Sequence, residues 1–435
     1  MPEGRREGSR RIRLLRLAQE NACHTMLECL KRIMQGMAAG LLCSSAMKST
    51  ASRVSGFGPS AFGEMTLLAQ QVGAINLGQG FPDFAPPDFV LRAAQEAFSG
   101  QAHQYAPPKG WPRLQRAISG LLAPQLGFMP DPDTEVTITV GATQALHTTM
   151  QALLDPGDET IVMQPKFDTY TPQLELAESV PVYVNLEPTP QGWALDLERL
   201  RAACTNRTKL LILNTPHNPT GKIFSRLELE GIARIALECD LFVIADEVYD
   251  RLFFDVSHES IASLPGMRER TITVGSAGKI FGATGWRIGW TVASPDVTAA
   301  IRRGHQWVPF CATTPIQEAV AIALEHAEFR AYEQSVRTDF RAKRDFLCAA
   351  LSHAGFRPWV PQGSYYVVAD ASDLTDDILG FSRQMVMEAR VAAMPGNVFY
   401  APQDEHSAPP FFRFAFCKTQ ATLEAAAERL KGLQG

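Results

Sequence analysis

None of the eight cysteines is spaced C-x-x-C, so neither a zinc ribbon nor a thioredoxin-like site has support. Spread over 435 residues, they are also too sparse for a disulfide scaffold. They read as buried free thiols in a reducing compartment, which points to the cytoplasm, and no bound metal is expected. No apolar run reaches the roughly 20 residues that span a bilayer. There is no excess of basic residues: the net charge is -5, which argues against a nucleic-acid partner. Internal repeats and low-complexity segments are missing too. Lysine is scarce, with ten in the chain. What remains is an ordinary globular composition, 46% hydrophobic and 20% charged.

The first 46 residues differ from the rest. They hold a basic cluster (Arg5, Arg6, Arg10, Arg11, Arg13, Arg16) and then a short apolar run, IMQGMAAGLLCSSAM. A secretory signal needs its apolar stretch near the start, and a mitochondrial leader is poor in acids. Glu3, Glu7, Glu20 and Glu28 fit neither. The segment reads as an upstream extension outside the fold, with Met47 at or near the functional start.

Beyond it, strands and helices alternate. EVTITV (135–140), ETIVM (159–163), PVYVNL (181–186), KLLILN (209–214), LFVIAD (241–246), TITVG (271–275) and RIGWTVA (287–293) are mostly continuous apolar runs. Such runs suit a sheet covered on both faces, doubly wound and mainly parallel. ATQALHTTMQALL (142–154) and SRLELEGIARIALEC (225–239) read as helices between them. After about residue 325 a long amphipathic helix (329–355) opens a smaller α+β unit. Its further parts are SYYVVAD (364–370), a helix near 376–390, VAAMPG (391–396), FFRFAF (411–416) and a closing helix at 420–432. The expected division is an arm and part of a small domain at 47–89, a large α/β domain at 90–325 and a small domain at 326–435.

Ligands of doubly wound sheets sit at the carboxyl ends of the strands. Here those ends carry Gly141-Ala142-Thr143, the segment Thr215–Gly221 with Asn218, Asp246 with Tyr249, and Ser276 with Lys279 and Arg287. Gly141 and the helix it opens suit a phosphate, and Ser276 and Arg287 add a hydroxyl and a forked cation. A lysine in a buried stretch acquires nucleophilic chemistry if its pKa falls. A carboxylate ending an apolar strand needs a cationic partner, and a protonated pyridine nitrogen is one. Tyr249 and Asn218 are placed to reach a ring oxygen. Together these parts describe a pyridoxal 5'-phosphate site.

NTPHNPTG (214–221), ADEVYD (245–250), SAGKIFGATGWRIGW (276–290) and RFAF (413–416) resemble the aspartate-aminotransferase superfamily, the fold-type-I pyridoxal-phosphate enzymes. LGQGFPDF (77–84), HQY (103–105) and GSYYVVAD (363–370) resemble a narrower group, the methionine aminotransferases and kynurenine–oxoglutarate or glutamine transaminases. The resemblance implies catalytic roles for Lys279, Asp246 and Tyr249. It implies a cofactor site of Ala142, Thr143, Phe167, Asn218, Ser276 and Arg287, with Tyr105 reaching the phosphate of a neighbouring subunit in a homodimer. It implies that Arg413, with Asn218 and Gly80, grips the substrate α-carboxylate. Phe62, Phe81, Tyr170 and Phe310 are candidates for an apolar side-chain pocket. The expected reaction is ping-pong transamination between an amino acid and a 2-oxo acid, the donor being methionine-like, aromatic, glutamine or kynurenine. A cysteine-conjugate C–S β-lyase on the same scaffold is the alternative, and a pyridoxal-phosphate-sensing transcription regulator a remoter one. Lys166, before Phe167, departs from the commoner aromatic or proline.

Overall fold

The computed structural model of the chain describes residues 50–58 and 60–434. The proposed extension 1–46 lies outside the described residues. Residues 50–56 contain a single helical turn, Ser52–Ser55. Residues 57–434 belong to a second compact unit.

Fourteen strands occur among the described residues. They begin with β1 (Ile75–Asn76), β2 (Val136–Val140), β3 (Glu159–Gln164), β4 (Val180–Thr189) and β5 (Gly192–Leu195). Next come β6 (Thr208–Asn214), β7 (Phe242–Asp246), β8 (Thr271–Ser276) and β9 (Ile288–Val292). The last are β10 (Arg357–Trp359), β11 (Tyr366–Asp370), β12 (Val391–Ala392), β13 (Met394–Pro395) and β14 (Phe411–Ala415). Eight strands form one sheet in the order β2-β9-β8-β7-β6-β3-β4-β5. β8, β7, β6, β3 and β4 run parallel. β9 is antiparallel to both β8 and β2, so the carboxyl end of β2 returns to the same sheet edge as that of β8.

The apolar runs conceal a period of two, because successive strand side chains point to opposite faces. Leu210 and Ile212 of β6 join Ile244 of β7 in a cluster with Ala145, Leu146 and Met150 of the helix Gly141–Leu153. Leu211 and Leu213 join Val243 and Ala245 in another, with Leu229, Ile232 and Ile235 of the helix Arg226–Glu238. Each face is thus buried under its own helices, which is why the strands read as unbroken apolar runs. The second helix begins where Ser225 and Glu228 cap each other's backbone N–H groups.

Four strands form an antiparallel sheet, β10-β11-β14-β13. Arg413 of β14 stands opposite Val368 of β11 and Met394 of β13. β1 pairs in parallel with β12, and Ala415 N donates to Leu77 O at 2.6 Å. These bonds carry the segment 77–81 across to β14. The long helix spans Phe329–His353 and buries Phe340, Leu347, Cys348 and Leu351 along one stripe.

Three expectations shift. The helix foreseen near 376–390 is α-helical over Ile378–Gln384 and continues as a π-turn, Met385–Ala389. It stops at Arg390, where φ is 55°. VAAMPG serves two sheets, through β12 and β13. β4 extends to Thr189 and turns into a hairpin with β5. Its outer end is only partly buried, so it lacks the apolar continuity that marked the other strands. Among the described residues no helix is long and apolar enough to cross a membrane, and no cluster of three metal-ligating side chains occurs.

Candidate active site

A cavity of about 220 Å³ opens at the carboxyl ends of the strands. Ala142, Thr143, Phe167, Asn218, Asp246, Tyr249, Ser276, Lys279 and Arg287 all line it, with Asn214 and Tyr366. The sheet register explains the convergence: Asn214 pairs with Asp246, Asp246 with Val274, and Ser276 with Gly289. Residues far apart in sequence therefore end their strands side by side.

Asp246 is buried. Its Oδ2 accepts from the Tyr170 hydroxyl at 2.5 Å, while its Oδ1 has no partner. Burial raises its carboxyl pKa to about 6, against the opposing hydrogen bonds from Tyr170 and the Val248 backbone. Asn214 spans the neighbouring strand ends. Its Nδ2 donates to Asp246 O at 2.8 Å and its Oδ1 accepts from Asn218 N at 2.7 Å.

Lys279 lies in the turn Ala277–Ile280 that follows β8. Its Nζ donates to the Tyr365 hydroxyl at 2.9 Å and stands 5.5 and 5.4 Å from the ring centres of Tyr249 and Tyr365. Burial lowers its pKa to about 8; Cys417 and Asp246 resist the fall, while Arg287 and Arg413 add to it. Near neutral pH a useful fraction of the amine is therefore unprotonated and nucleophilic.

At the start of the helix Gly141–Leu153 no side chain caps the first N–H groups. Those groups suit an anion. Gly141 has φ 72°, and a Cβ there would lie 2.5 Å from Arg287 Nη2. A Cβ on Gly289 would lie 2.5 Å from the Gly141 carbonyl carbon. Two glycines thus allow β9, the helix start and the guanidinium to meet.

Arg413 is 2% exposed. Its Nη1 donates to Asn218 Oδ1 at 2.9 Å and its Nη2 to Gly78 O at 2.6 Å. Its guanidinium carbon lies 4.0 Å from the ring centre of Tyr366 and 4.9 Å from those of Phe62 and Phe399. Nε is buried without a partner. An arginine this buried, with no carboxylate in contact and an unused donor, suits an incoming anion.

The family model for aminotransferase class I and II matches residues 72–430. The chain belongs to the class I and II aminotransferases. The probable N-succinyldiaminopimelate aminotransferase DapC of Mycobacterium tuberculosis is 41% identical, over 88% of this chain and 98% of that protein. Kynurenine–oxoglutarate transaminase 1 of Rattus norvegicus is 39% identical, over 88% and 97% respectively. A solved structure of YbdL from Escherichia coli, described as having a methionine aminotransferase function, is 35% identical. It superposes with a TM-score of 0.83 over 88% of this chain and all of that one. Like those of its superfamily, this aminotransferase uses pyridoxal 5'-phosphate.

The donor set suits that cofactor. The orphaned Asp246 Oδ1 matches a protonated pyridine nitrogen, and the uncapped helix start with Ser276 and Arg287 matches a phosphate. Lys279 matches the aldehyde.

Other residues fall outside the cavity. Tyr170, expected in an apolar substrate pocket, is buried with its hydroxyl on Asp246 and belongs to the carboxylate's own surroundings. Phe81 is exposed, its ring under Lys418 Nζ at 4.5 Å. Tyr105 is 82% exposed and meets half-exposed Phe310 edge to face, ring centres 5.2 Å apart. Gly80 fits against the tyrosine pair: a Cβ there would overlap the Tyr366 hydroxyl. Asn214, Tyr365 and Tyr366 were not singled out from the sequence. Asn214 closes the same strand that delivers Asn218, and position alone would have flagged it.

Proposed function

We propose that this aminotransferase takes its amino group from methionine-like, aromatic, glutamine or kynurenine-type amino acids and passes it to a 2-oxo acid by a ping-pong mechanism. The carrying observation is the surroundings of Arg413: one buried guanidinium with a free donor, held among Phe62, Tyr366 and Phe399. Arg413 adjoins the cavity through Asn218 and Tyr366, and the cations on the cavity wall itself are Lys279 and Arg287. With those two committed to the cofactor, a second carboxylate on the substrate finds no counter-charge, whereas an apolar or amide side chain finds aromatic surface. The kynurenine and methionine transaminases among the relatives support the same reading.

Pyridoxal phosphate, when bound, supplies the carbonyl that takes the substrate nitrogen and the electron sink for the α-carbon. Lys279 Nζ takes the α-proton. Asp246 Oδ1 keeps a proton on the pyridine nitrogen, and Tyr170 keeps Asp246 in place. Tyr249 and Asn218 address the ring oxygen, and Phe167 covers a ring face. The backbone of Ala142 and Thr143, with Ser276 and Arg287, holds the phosphate. Arg413, Asn218 and the backbone of Gly80 hold the α-carboxylate. Phe62, Phe81 and Phe310 border the side-chain path.

We further propose a homodimer in which Tyr105 serves the partner's phosphate. Its exposure supports this, as does that of neighbouring apolar side chains Trp307 (83%) and Val308 (64%). A cytoplasmic location is supported by Cys204, Cys239, Cys311, Cys348 and Cys417, all free thiols. The division at 47–89, 90–325 and 326–435 is supported by the two larger sheets, which fall within 136–292 and 357–415, and by the small β1-β12 pair that joins the arm to the last unit.

The test is a panel of amino donors against the purified holoenzyme, with and without a 2-oxo acid. Methionine, phenylalanine, glutamine or kynurenine should convert the cofactor to its amine form, and a 2-oxo acid should reverse it. Preference for N-succinyldiaminopimelate would overturn the donor class. Release of pyruvate and ammonia from a cysteine conjugate without an oxo acid would establish the β-lyase instead.

A further inference from the structure

The hydroxyl of Tyr365 has no part in the reaction as set out above, yet it touches the lysine at its centre. Tyr365 is 2% exposed and immediately precedes β11. Its O–H donates to the Gly80 carbonyl at 2.6 Å. With its one proton committed there, the oxygen is left as an acceptor, and Lys279 Nζ donates to it at 2.9 Å. Burial holds the phenol well above its ordinary pKa, so the hydroxyl keeps its proton. The geometry around Gly80 is rigid: a Cβ there would stand 2.7 Å from the Tyr365 ring. The bridge therefore ties Lys279 to the chain segment that also provides Gly78 O to Arg413.

We infer that Tyr365 is a positioning residue for proton transfer: it holds the Lys279 amine, whenever that amine is not linked to the cofactor, in one orientation set by Gly80. The inference rests on the assignment of Lys279 as the group that takes the α-proton. A free lysine amine sits on four rotatable bonds and carries about 2 kcal/mol of rotamer entropy. Proton transfer demands one narrow geometry. When the α-proton moves to Nζ, its electron pair stays with the carbon and the amine becomes an ammonium. The Tyr365 oxygen accepts one ammonium N–H, and the faces of Tyr249 and Tyr365 lie within cation–π reach of the charge. The Tyr365 O–H bond itself does not break. Cys417, Arg287, Arg413 and Asp246 also act on Lys279 electrostatically, and a change at Tyr365 alters none of them.

The test compares wild type, Tyr365→Phe and Lys279→Ala as full-length holoenzymes. In Y365F the cofactor content, the cofactor absorbance and its pH titration should match wild type, because Nζ is then linked to the cofactor. Affinity for an α-methyl amino acid, which binds but has no α-proton to lose, should also be unchanged. The first-order rate of the half-reaction should fall about tenfold to a hundredfold. The kinetic isotope effect with an α-deuterated donor should rise, because proton transfer becomes more fully rate-limiting. A wild-type rate and isotope effect in Y365F would overturn the inference. So would a loss that follows cofactor content or folding, which would make Tyr365 structural. A K279A variant that performs the half-reaction would overturn the assignment of Lys279 and not the Tyr365 step alone.

Discussion

Asp246 pairs a satisfied oxygen with an orphaned one, and that asymmetry has a measurable cost. With its pKa raised from 3.8 to about 6 in the cofactor-free fold, the native state binds a proton more tightly than the unfolded chain. The stabilisation from this proton is fully present below pH 3.8 and is lost as pH rises through about 6. A difference of this size is worth about 3 kcal/mol. Asp246→Asn keeps an acceptor for Tyr170 but removes the charge. The cofactor-free variant should match wild type near pH 4 and be more stable at pH 7, by up to about 3 kcal/mol in urea unfolding. The gain in stability on adding cofactor should be smaller in the variant, because the carboxylate that would pair with the pyridinium is gone. Equal pH dependence in both proteins would refute the assignment of this titration to Asp246. The sequence pointed to Asp246 because a carboxylate ending an apolar strand must have a partner. It could not show that Tyr170 would hold the other carboxylate oxygen, since 76 residues separate them and only the packed fold brings them together. The 86-residue contact between Lys279 and Tyr365 was hidden for the same reason.

At the level of elements, the proposed phosphate end of the site is made by close approach of a helix start to β9. Gly141→Ala would place a methyl group 2.5 Å from Arg287 Nη2, at a φ of 72° that alanine resists. The backbone strain alone is about 1–2 kcal/mol. Arg287 must also move away from the helix N-terminus. The expected outcome is a cofactor dissociation constant raised at least about tenfold, with a melting point lowered by a few degrees. Equilibrium dialysis and thermal unfolding measure the two. Unchanged affinity would mean that the helix start and Arg287 do not share an anion. The strands of this sheet were legible because both faces are buried, which leaves unbroken apolar runs ending in polar segments. The β4–β5 hairpin and the π-turn at Met385–Ala389 were not. The hairpin's partly exposed outer end gives no such run. The π-turn leaves the apolar pattern intact while changing only the hydrogen bonding.

For the whole molecule, the question is whether one chain makes a complete site. Tyr105 is exposed and lies outside the cavity wall of its own chain, yet the family pattern assigns it to a phosphate. Both statements hold together if the tyrosine crosses to a second copy related by two-fold symmetry. Tyr105→Ala and Lys279→Ala then fail for different reasons and in different chains. In a mixed dimer, the site built on the intact Lys279 receives Tyr105 from the K279A chain and is whole, while the other site lacks both groups. Random reassortment of the two variants makes half of the dimers mixed, each with one good site of two. Mixing inactive Y105A and K279A proteins under conditions that exchange subunits should therefore restore roughly a quarter of wild-type activity. If Tyr105 acted within its own chain, the mixed dimer would hold one site without tyrosine and one without lysine, and activity would stay at the level of the separate variants. Light scattering before mixing decides whether a dimer exists to be exchanged. A monomer with full activity would place the Tyr105–Phe310 patch outside the chemistry altogether.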